Sequence, residues 1–241
     1  MTSTSNFRQA VREARNEAIV GPNVIANALP YVGGGLILTA LGTFGGLNVA
    51  EANSELFKMT SWVAFVAQIA LFFVASGIAN KGNNQAALPL LATYSLLTGY
   101  TLTGLVDMAL GTSGVGVSGI GVAALGCGVT FIGARSIGSN LSESDGMALT
   151  KTIGLGLISL VVVMLAQFVL SFFGIITPSW LEIGISGFGV LLFVGAAVVD
   201  FYLLPRAYTD KQYLSAALSM YLTYINLFIF ILRLLIAFNR D

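Results

Sequence analysis

The chain is expected to be an all-α, polytopic membrane protein, a bundle of seven transmembrane helices with the C-terminal helix at its centre. Three observations point there. Of its 241 residues, 56% are hydrophobic and only 9% are charged, against about 25% charged in an ordinary globular domain. Apolar runs long enough to cross a bilayer, about 20 residues each, follow one another with short polar links. The last run keeps a polar stripe that a lipid-facing helix would not keep.

Residues 1–25 are polar and carry Arg8, Arg12, Glu13, Arg15 and Glu17. This mixture of signs does not fit a cleavable signal peptide. It fits a cytoplasmic tail or a surface-lying amphipathic helix. Residues 26–241 form the membrane domain. Its spans are expected at Ala26–Val49, Met59–Asn80, Ala86–Ala109, Val115–Gly138, Thr152–Gly174, Leu181–Leu204 and Tyr213–Phe238. Short links (Lys81–Gln85, the Gly-Thr-Ser turn after Leu110, the turn at Pro178 and the link around Pro205) make consecutive spans antiparallel neighbours. The longest link, Ser139–Lys151, contains Ser-Glu-Ser-Asp-Gly and reads as a solvated turn.

Charge sets a direction. With the N-terminus in the cytoplasm, eight of the eleven basic residues (Arg8, Arg12, Arg15, Lys81, Arg135, Lys151, Arg206 and Lys211) fall inside. Lys58, Arg233 and Arg240 fall on the far side, so the positive-inside rule favours a cytoplasmic N-terminus.

Composition excludes several chemistries. There is no histidine, which removes imidazole metal sites and histidine proton relays. The lysines Lys58, Lys81, Lys151 and Lys211 all lie in links or at helix ends, so no retinal-type Schiff base is available. The single cysteine, Cys127, lies in an apolar run and reads as packing. Eleven acidic residues cancel the eleven basic ones, leaving no footprint for nucleic acid. No nucleophile–base pair and no metal set is present, so the expectation is a non-enzyme with no cofactor.

Asp200 is the exception to the apolar rule. It lies in the run Leu181–Leu204, where a carboxylate costs roughly 2.5–3.5 kcal/mol at the bilayer centre. Such a group faces a bundle interior and marks an ion path, a titratable gate or a hydrogen-bonded structural contact. Ser186, Gly189, Ala196 and Asp200 share one face of the sixth span. In the seventh, Ser215, Ser219, Thr223, Asn226 and Arg233 fall at spacings of 4, 4, 3 and 7, again one face. The hairpin places Asp200 near Ser215 or Ser219 in depth. Asp200, Ser219, Thr223 and Asn226 are therefore the candidate gating or ion-path residues.

Thr93, Tyr100, Thr103 and Asp107 read as one face of the third span. Asp107, or one of the acids Glu51 and Glu55 in the first external loop, is expected to latch onto Arg233. In the fourth span, Gly116, Gly119, Ala123, Gly126, Thr130 and Gly133 read as a close-packing stripe. Gly33–Gly35 and Gly45-Gly46 of the first span read as packing glycines that also permit bending.

The segments GFGVLLFVGAAVVDFYLL and AALSMYLTYINLFIFILRLL, with PLLATYSLLTGYTLTGLVD upstream, resemble the Bax inhibitor (transmembrane Bax inhibitor motif) family. The resemblance implies a seventh helix enclosed by six others. Bacterial members look like pH-sensitive calcium leak channels, in which aspartates on helices 6 and 7 share a proton. By that likeness the helix-6 aspartate falls on Asp200, the helix-7 aspartate on Thr223, a second acidic position on Ser219 and the terminal arginine on Arg233. The chain departs from the pattern at Thr223. A lone carboxylate lacks the like-charge coupling of a dyad and supplies little of the anionic oxygen that calcium prefers.

Two expectations follow. One is a leak channel for calcium or other cations, gated through Asp200. The other is a non-conducting regulator, assembly factor or accessory subunit of a larger membrane complex. The expected partners are membrane lipids together with the cation or the complex. The expected location is a bacterial cytoplasmic or internal membrane.

Overall fold

A computed structural model describes residues 19–174 and 177–239, without the side chains of residues 171 and 172. The expected tail or surface helix over residues 1–18 lies outside the described residues, as does Arg240. Among the described residues there are seven long helices and a single 3-10 turn. They are α1 (Val24–Ala52), α2 (Ser54–Ala79), α3 (Asn84–Gly111), α4 (Gly116–Gly138), α5 (Glu143–Phe172), α6 (Ser179–Ala207) and α7 (Tyr213–Phe238), with the 3-10 turn at Asp210–Gln212 between α6 and α7.

By length and composition six of these are apolar enough to cross a membrane. The protein is thus a polytopic all-α membrane protein. The remaining helix, α3, is 28 residues long. Its apolar run is broken by Thr93, Ser95, Thr98, Thr101, Thr103 and Asp107. Backbone groups have no water partner in lipid, so a helix that closes its own hydrogen bonds is the expected spanning unit.

α7 occupies the middle. It packs against α1, α2, α3, α4 and α6. Its buried residues run through the full length of the helix, from Leu214 to Ala237. Phe230, Leu214, Met220, Leu227, Leu232 and Ile236 are among the most completely buried large side chains in the protein. At the other extreme, α5 packs on α6 alone among its stronger contacts. It turns Leu155, Ile158, Val161, Val162 and Leu165 outward. An apolar helix with so little burial is covered by lipid.

The tightest helix pair is α1 with α3. Gly42 faces the backbone of Leu96 and Tyr100, and Gly99 faces the backbone of Thr39 and Thr43, with no room for a Cβ at either. Close approach lets hydroxyls reach carbonyls on the opposite helix. Thr39 Oγ1 donates to Ser95 O at 3.1 Å, Thr43 Oγ1 to Gly99 O at 2.9 Å and Thr103 Oγ1 to Thr43 O at 3.3 Å. The hydroxyls of α3 itself divide: Thr103 turns to α1, Thr101 donates to Gln68 of α2, and Ser95 and Thr98 return to carbonyls of their own helix. The outlying Thr93 and Asp107 are exposed and Tyr100 bonds Thr60 of α2, so the expected Thr93–Asp107 face is not one buried face.

The structure corrects several boundaries. α5 begins at Glu143, so most of the expected Ser139–Lys151 turn is helix. Ser142 Oγ accepts from the Asp145 amide at 3.1 Å, and Glu143 and Asp145 sit in the first turn, where acids favour the positive helix end. The expected first external loop shrinks to Asn53, whose side chain caps α2 by accepting from Leu56 N at 2.9 Å. Glu51 and Glu55 are consequently helical. Pro205 lies in the last turn of α6, and the link proper is Tyr208–Gln212. In α4 the buried stripe is Gly119, Ala123, Cys127, Ala134 and Gly138, which drifts off Gly126 and Gly133 toward α6.

The α6–α7 link gathers one end of the bundle. Pro205 O accepts from the amides of Val20 and Gly21 at 2.9 and 3.0 Å. Asp210 Oδ1 accepts from Asn23 N at 2.8 Å. Gln212 Nε2 donates to Asn80 O at 2.7 Å, and Asn84 Nδ2 donates to Lys211 O at 2.8 Å. The entry to α1, the α2–α3 link and the α6–α7 link therefore hold one another.

Gly99→Ala should destabilise the fold by about 1–3 kcal/mol through backbone overpacking. Gly45→Ala, where a Cβ meets nothing within 4 Å, should be neutral or stabilising by up to about 1 kcal/mol from helix propensity. Unfolding midpoints in mild detergent will fall for Gly99→Ala and hold or rise for Gly45→Ala.

Candidate functional site

The α6–α7 seam is built by two matched faces. On α6 the residues Ser186, Gly189, Phe193, Ala196 and Asp200 repeat at 3, 4, 3 and 4. On α7 the residues Ser215, Ser219, Thr223, Asn226, Phe230 and Arg233 repeat at 4, 4, 3, 4 and 3. Both spacings hold one side of a helix toward its partner. Small residues on α6 let α7 approach closely: a Cβ at Gly189 would run into the ring of Phe230.

Asp200 sits two turns from the link end of this seam and is 7% exposed. Its carboxylate is clasped by α7. Ser219 Oγ donates to Oδ1 at 2.8 Å and Thr223 Oγ1 donates to Oδ2 at 2.7 Å. Each oxygen thus has its own hydroxyl, one helical turn apart. A buried carboxylate is tolerable only when its oxygens are satisfied, and hydrogen bonds to a charged acceptor are the strong ones. Asp200 belongs to none of the ion pairs among the described residues, so these two hydroxyls are what compensates it.

The other candidates fall differently. Asn226, on the same stripe, turns back and donates to Leu222 O of its own helix at 2.8 Å. It is not drawn into the Asp200 group. Ser215 is buried one turn before Ser219, and its hydroxyl has no hydrogen-bond partner in the structure. Ser186, fully buried near the opposite end of the seam, is in the same state. Among the described residues no group of three or more acids or cysteines could hold a metal ion.

Arg233 does not meet Asp107. Its guanidinium lies 3.9 Å from Glu182 Oε1, at the start of α6, and 5.9 Å from the ring centroid of Phe230. Asp107 is exposed, and Glu55 pairs instead with Lys58 at 2.8 Å. The latch therefore closes the far end of the same α6–α7 hairpin rather than joining α3 to α7. Residue counting from the link places Glu182 and Arg233 at comparable depth, a signal present in the sequence.

On the other side of α7, Leu214, Ala217, Leu218 and Tyr221 line an apolar crevice of about 130 Å³ shared with α1 and α3. Tyr221 OH meets Thr39 Oγ1 there at 2.6 Å. This face points away from Asp200. Sequence reading missed both it and the α1–α3 contact, although Ser95, Gly99 and Thr103 repeat at every fourth residue, as small residues at close helix contacts do.

Thr223→Val should lower stability by about 1.5–3 kcal/mol, the value of a hydrogen bond to a charged group plus the cost of the acceptor left behind. Asp200→Asn should cost less than Asp200→Ala, because the carboxamide oxygen still accepts one hydroxyl. Unfolding in detergent at fixed pH measures all three.

Comparison with known proteins shows the family. The family model described as inhibitor of apoptosis-promoting Bax1 matches residues 21–240. An uncharacterized membrane protein of Streptococcus pyogenes serotype M6 is 33% identical over 183 residues, covering 73% of this chain and 74% of the relative. An uncharacterized protein of Deinococcus radiodurans is 27% identical over 222 residues, covering 87% and 88%. Bax inhibitor 1 of Schizosaccharomyces pombe is 35% identical over 66 residues, covering 27% of this chain and 25% of that protein. With a match that runs from the glycine before α1 to the end of α7, the chain belongs to the Bax inhibitor family.

Proposed function

We propose that the chain is a cation leak pathway along the α6–α7 seam, held shut by the Asp200 clasp and opened when Asp200 takes up a proton. The observation that carries this is the pairing of each Asp200 oxygen with a hydroxyl of the central helix. An ionised carboxylate draws both hydroxyls inward. A protonated one is a weaker acceptor and needs a partner for its own proton, so the reason for α6 to hold α7 weakens. Acid is therefore the opening condition. Calcium is the cargo that the family resemblance suggests. The donor set here is one carboxylate and two hydroxyls, which is too little charge to retain calcium and suits a passing cation better than a bound one.

The sidedness proposed is a cytoplasmic N-terminus in a bacterial cytoplasmic membrane. In support, Lys81, Arg135, Arg206 and Lys211 lie in or beside the links at the same end of the bundle. The Arg206 guanidinium is held there, 4.2 Å from the ring centroid of Tyr202.

A second reading rests on Thr223, which stands where the family resemblance implies a second aspartate. Without a dyad, the clasp is a permanent structural bond and the protein is a non-conducting regulator or subunit of a membrane complex. Flux separates the readings. Purified protein in liposomes should pass calcium or potassium faster at about pH 6 than at about pH 8, and Asp200→Asn should erase the difference between them. Thr223→Asp, which installs the missing carboxylate, should raise calcium passage over potassium. Folded protein that passes neither ion at either pH, and that co-purifies with a large complex in mild detergent, would establish the second reading instead.

A further inference from the structure

Between the Asp200 clasp and the Arg233–Glu182 pair, the seam is closed by aromatic rings. Phe193 of α6 and Phe230 of α7 stack with centroids 5.6 Å apart and planes 22° from parallel. Phe230 is 1% exposed and rests on Gly189, where a Cβ would displace it. Leu160, Ile185 and Leu192 complete the cluster around it. This is an apolar layer lying across the line that joins the polar groups of the two faces.

On either side of the layer stands a buried hydroxyl that the protein leaves without a partner. Ser215 lies toward the link, one turn from Ser219 and the Asp200 clasp. Ser186 lies toward the far end, one turn from Glu182. A buried hydroxyl with no protein partner is satisfied by water or carries a cost of a lost hydrogen bond. Water in such a place needs polar neighbours. Each serine has one a helical turn away on its own helix: Ser219 for Ser215 and Glu182 for Ser186. The order along the seam is polar, aromatic, polar.

We propose that the Phe193–Phe230 stack, seated on Gly189, is a hydrophobic gate that separates two hydrated pockets, one at Ser215 and one at Ser186. This rests on the reading of the α6–α7 seam as the leak pathway. Apolar constrictions of this kind stop ions by excluding water rather than by charge. The roles then divide. The clasp holds the helices together, and the stacked rings exclude water while they are held. Separation of α6 from α7 unstacks the rings. Glycine at 189 is required because the Phe230 ring occupies the space of its side chain.

The single native cysteine allows a direct test. In a Cys127→Ala background, Ser215→Cys and Ser186→Cys are prepared separately in right-side-out and inside-out membrane vesicles. Silver ion, a small thiol-reactive cation, is added outside. Protection of the thiol from later maleimide alkylation in the unfolded protein reports whether silver reached it. Silver from the link side should protect the cysteine at 215, and silver from the far side the cysteine at 186. Access from the wrong side should be at least about tenfold slower. Phe230→Ala should abolish that sidedness. Phe193→Ala serves the same purpose should Phe230→Ala fail to fold. Equal access from both sides with both rings present would overturn the gate. So would sidedness unchanged in a folded ring variant, or thiols that silver reaches from neither side. Ion flux measured in the same variants keeps the two ideas apart. Lost sidedness without ion passage supports the gate and sinks the leak. Ion passage with sidedness indifferent to both rings sinks the gate and leaves the leak standing.

Discussion

A carboxylate inside an apolar bundle must be satisfied by its neighbours, and here α7 satisfies it twice. The Ser219 and Thr223 hydroxyls meet the two oxygens of Asp200 from successive turns of the central helix. Because α7 also touches α1, α2, α3 and α4, whatever fixes α7 against α6 fixes the register of the whole bundle. The Arg233–Glu182 pair at 3.9 Å holds the far end of the same hairpin. The link residues Asp210 and Gln212 tie its near end to α1 and α2. The hairpin is thus pinned at both ends and clasped between them.

The rest of the structure divides by what each helix must hide. α1 and α3 hide hydroxyls and glycines against each other, so their contact is backbone-close and rigid. α2 and α5 hide little and carry the lipid-facing surface. α4 offers a small-residue face to α6 and α7, and Tyr224 OH reaches across to donate to Ala124 O at 2.9 Å. The α6–α7 seam adds the Asp200 clasp and a stacked ring pair to a broad apolar contact in which Ala197, Phe201 and Leu204 pack with Ala216, Ala217 and Met220, whereas α1 and α3 interlock through their backbones.

Much of this was legible in the sequence. Apolar run length gave the helices, and the stripe through Ser215, Ser219 and Thr223 gave the central place of α7; depth pointed to Ser215 or Ser219 as neighbours of Asp200, of which only Ser219 bonds it, and Thr223 was marked by the family resemblance. Periodicity works there because polar residues on an apolar background stand out. It was silent where the background is itself small or polar. Gly42 and Gly99 look like other glycines until the opposite backbone is known. The start of α5 hid behind Ser-Glu-Ser-Asp-Gly, which carries both turn-like composition and a serine cap. Phe230 reads as a gap in the α7 stripe because it is an aromatic on a polar face, yet it fills the seam between Asn226 and Arg233. The partner of Arg233 depended on which of several acids shared its depth, and only Glu182 lies on the adjoining helix of the same hairpin.

The central claim is that Asp200 and Thr223 hold the seam together by direct interaction. A double-mutant cycle in detergent, comparing the native chain with Asp200→Asn, Thr223→Val and the double variant at one pH where Asp200 is ionised, measures that interaction alone. The account predicts a coupling of about 1–3 kcal/mol, with the double variant much less destabilised than the sum of the two single changes. Additive effects would mean that the carboxylate and the hydroxyl do not act on each other, and the clasp as the control of the seam would have to be abandoned.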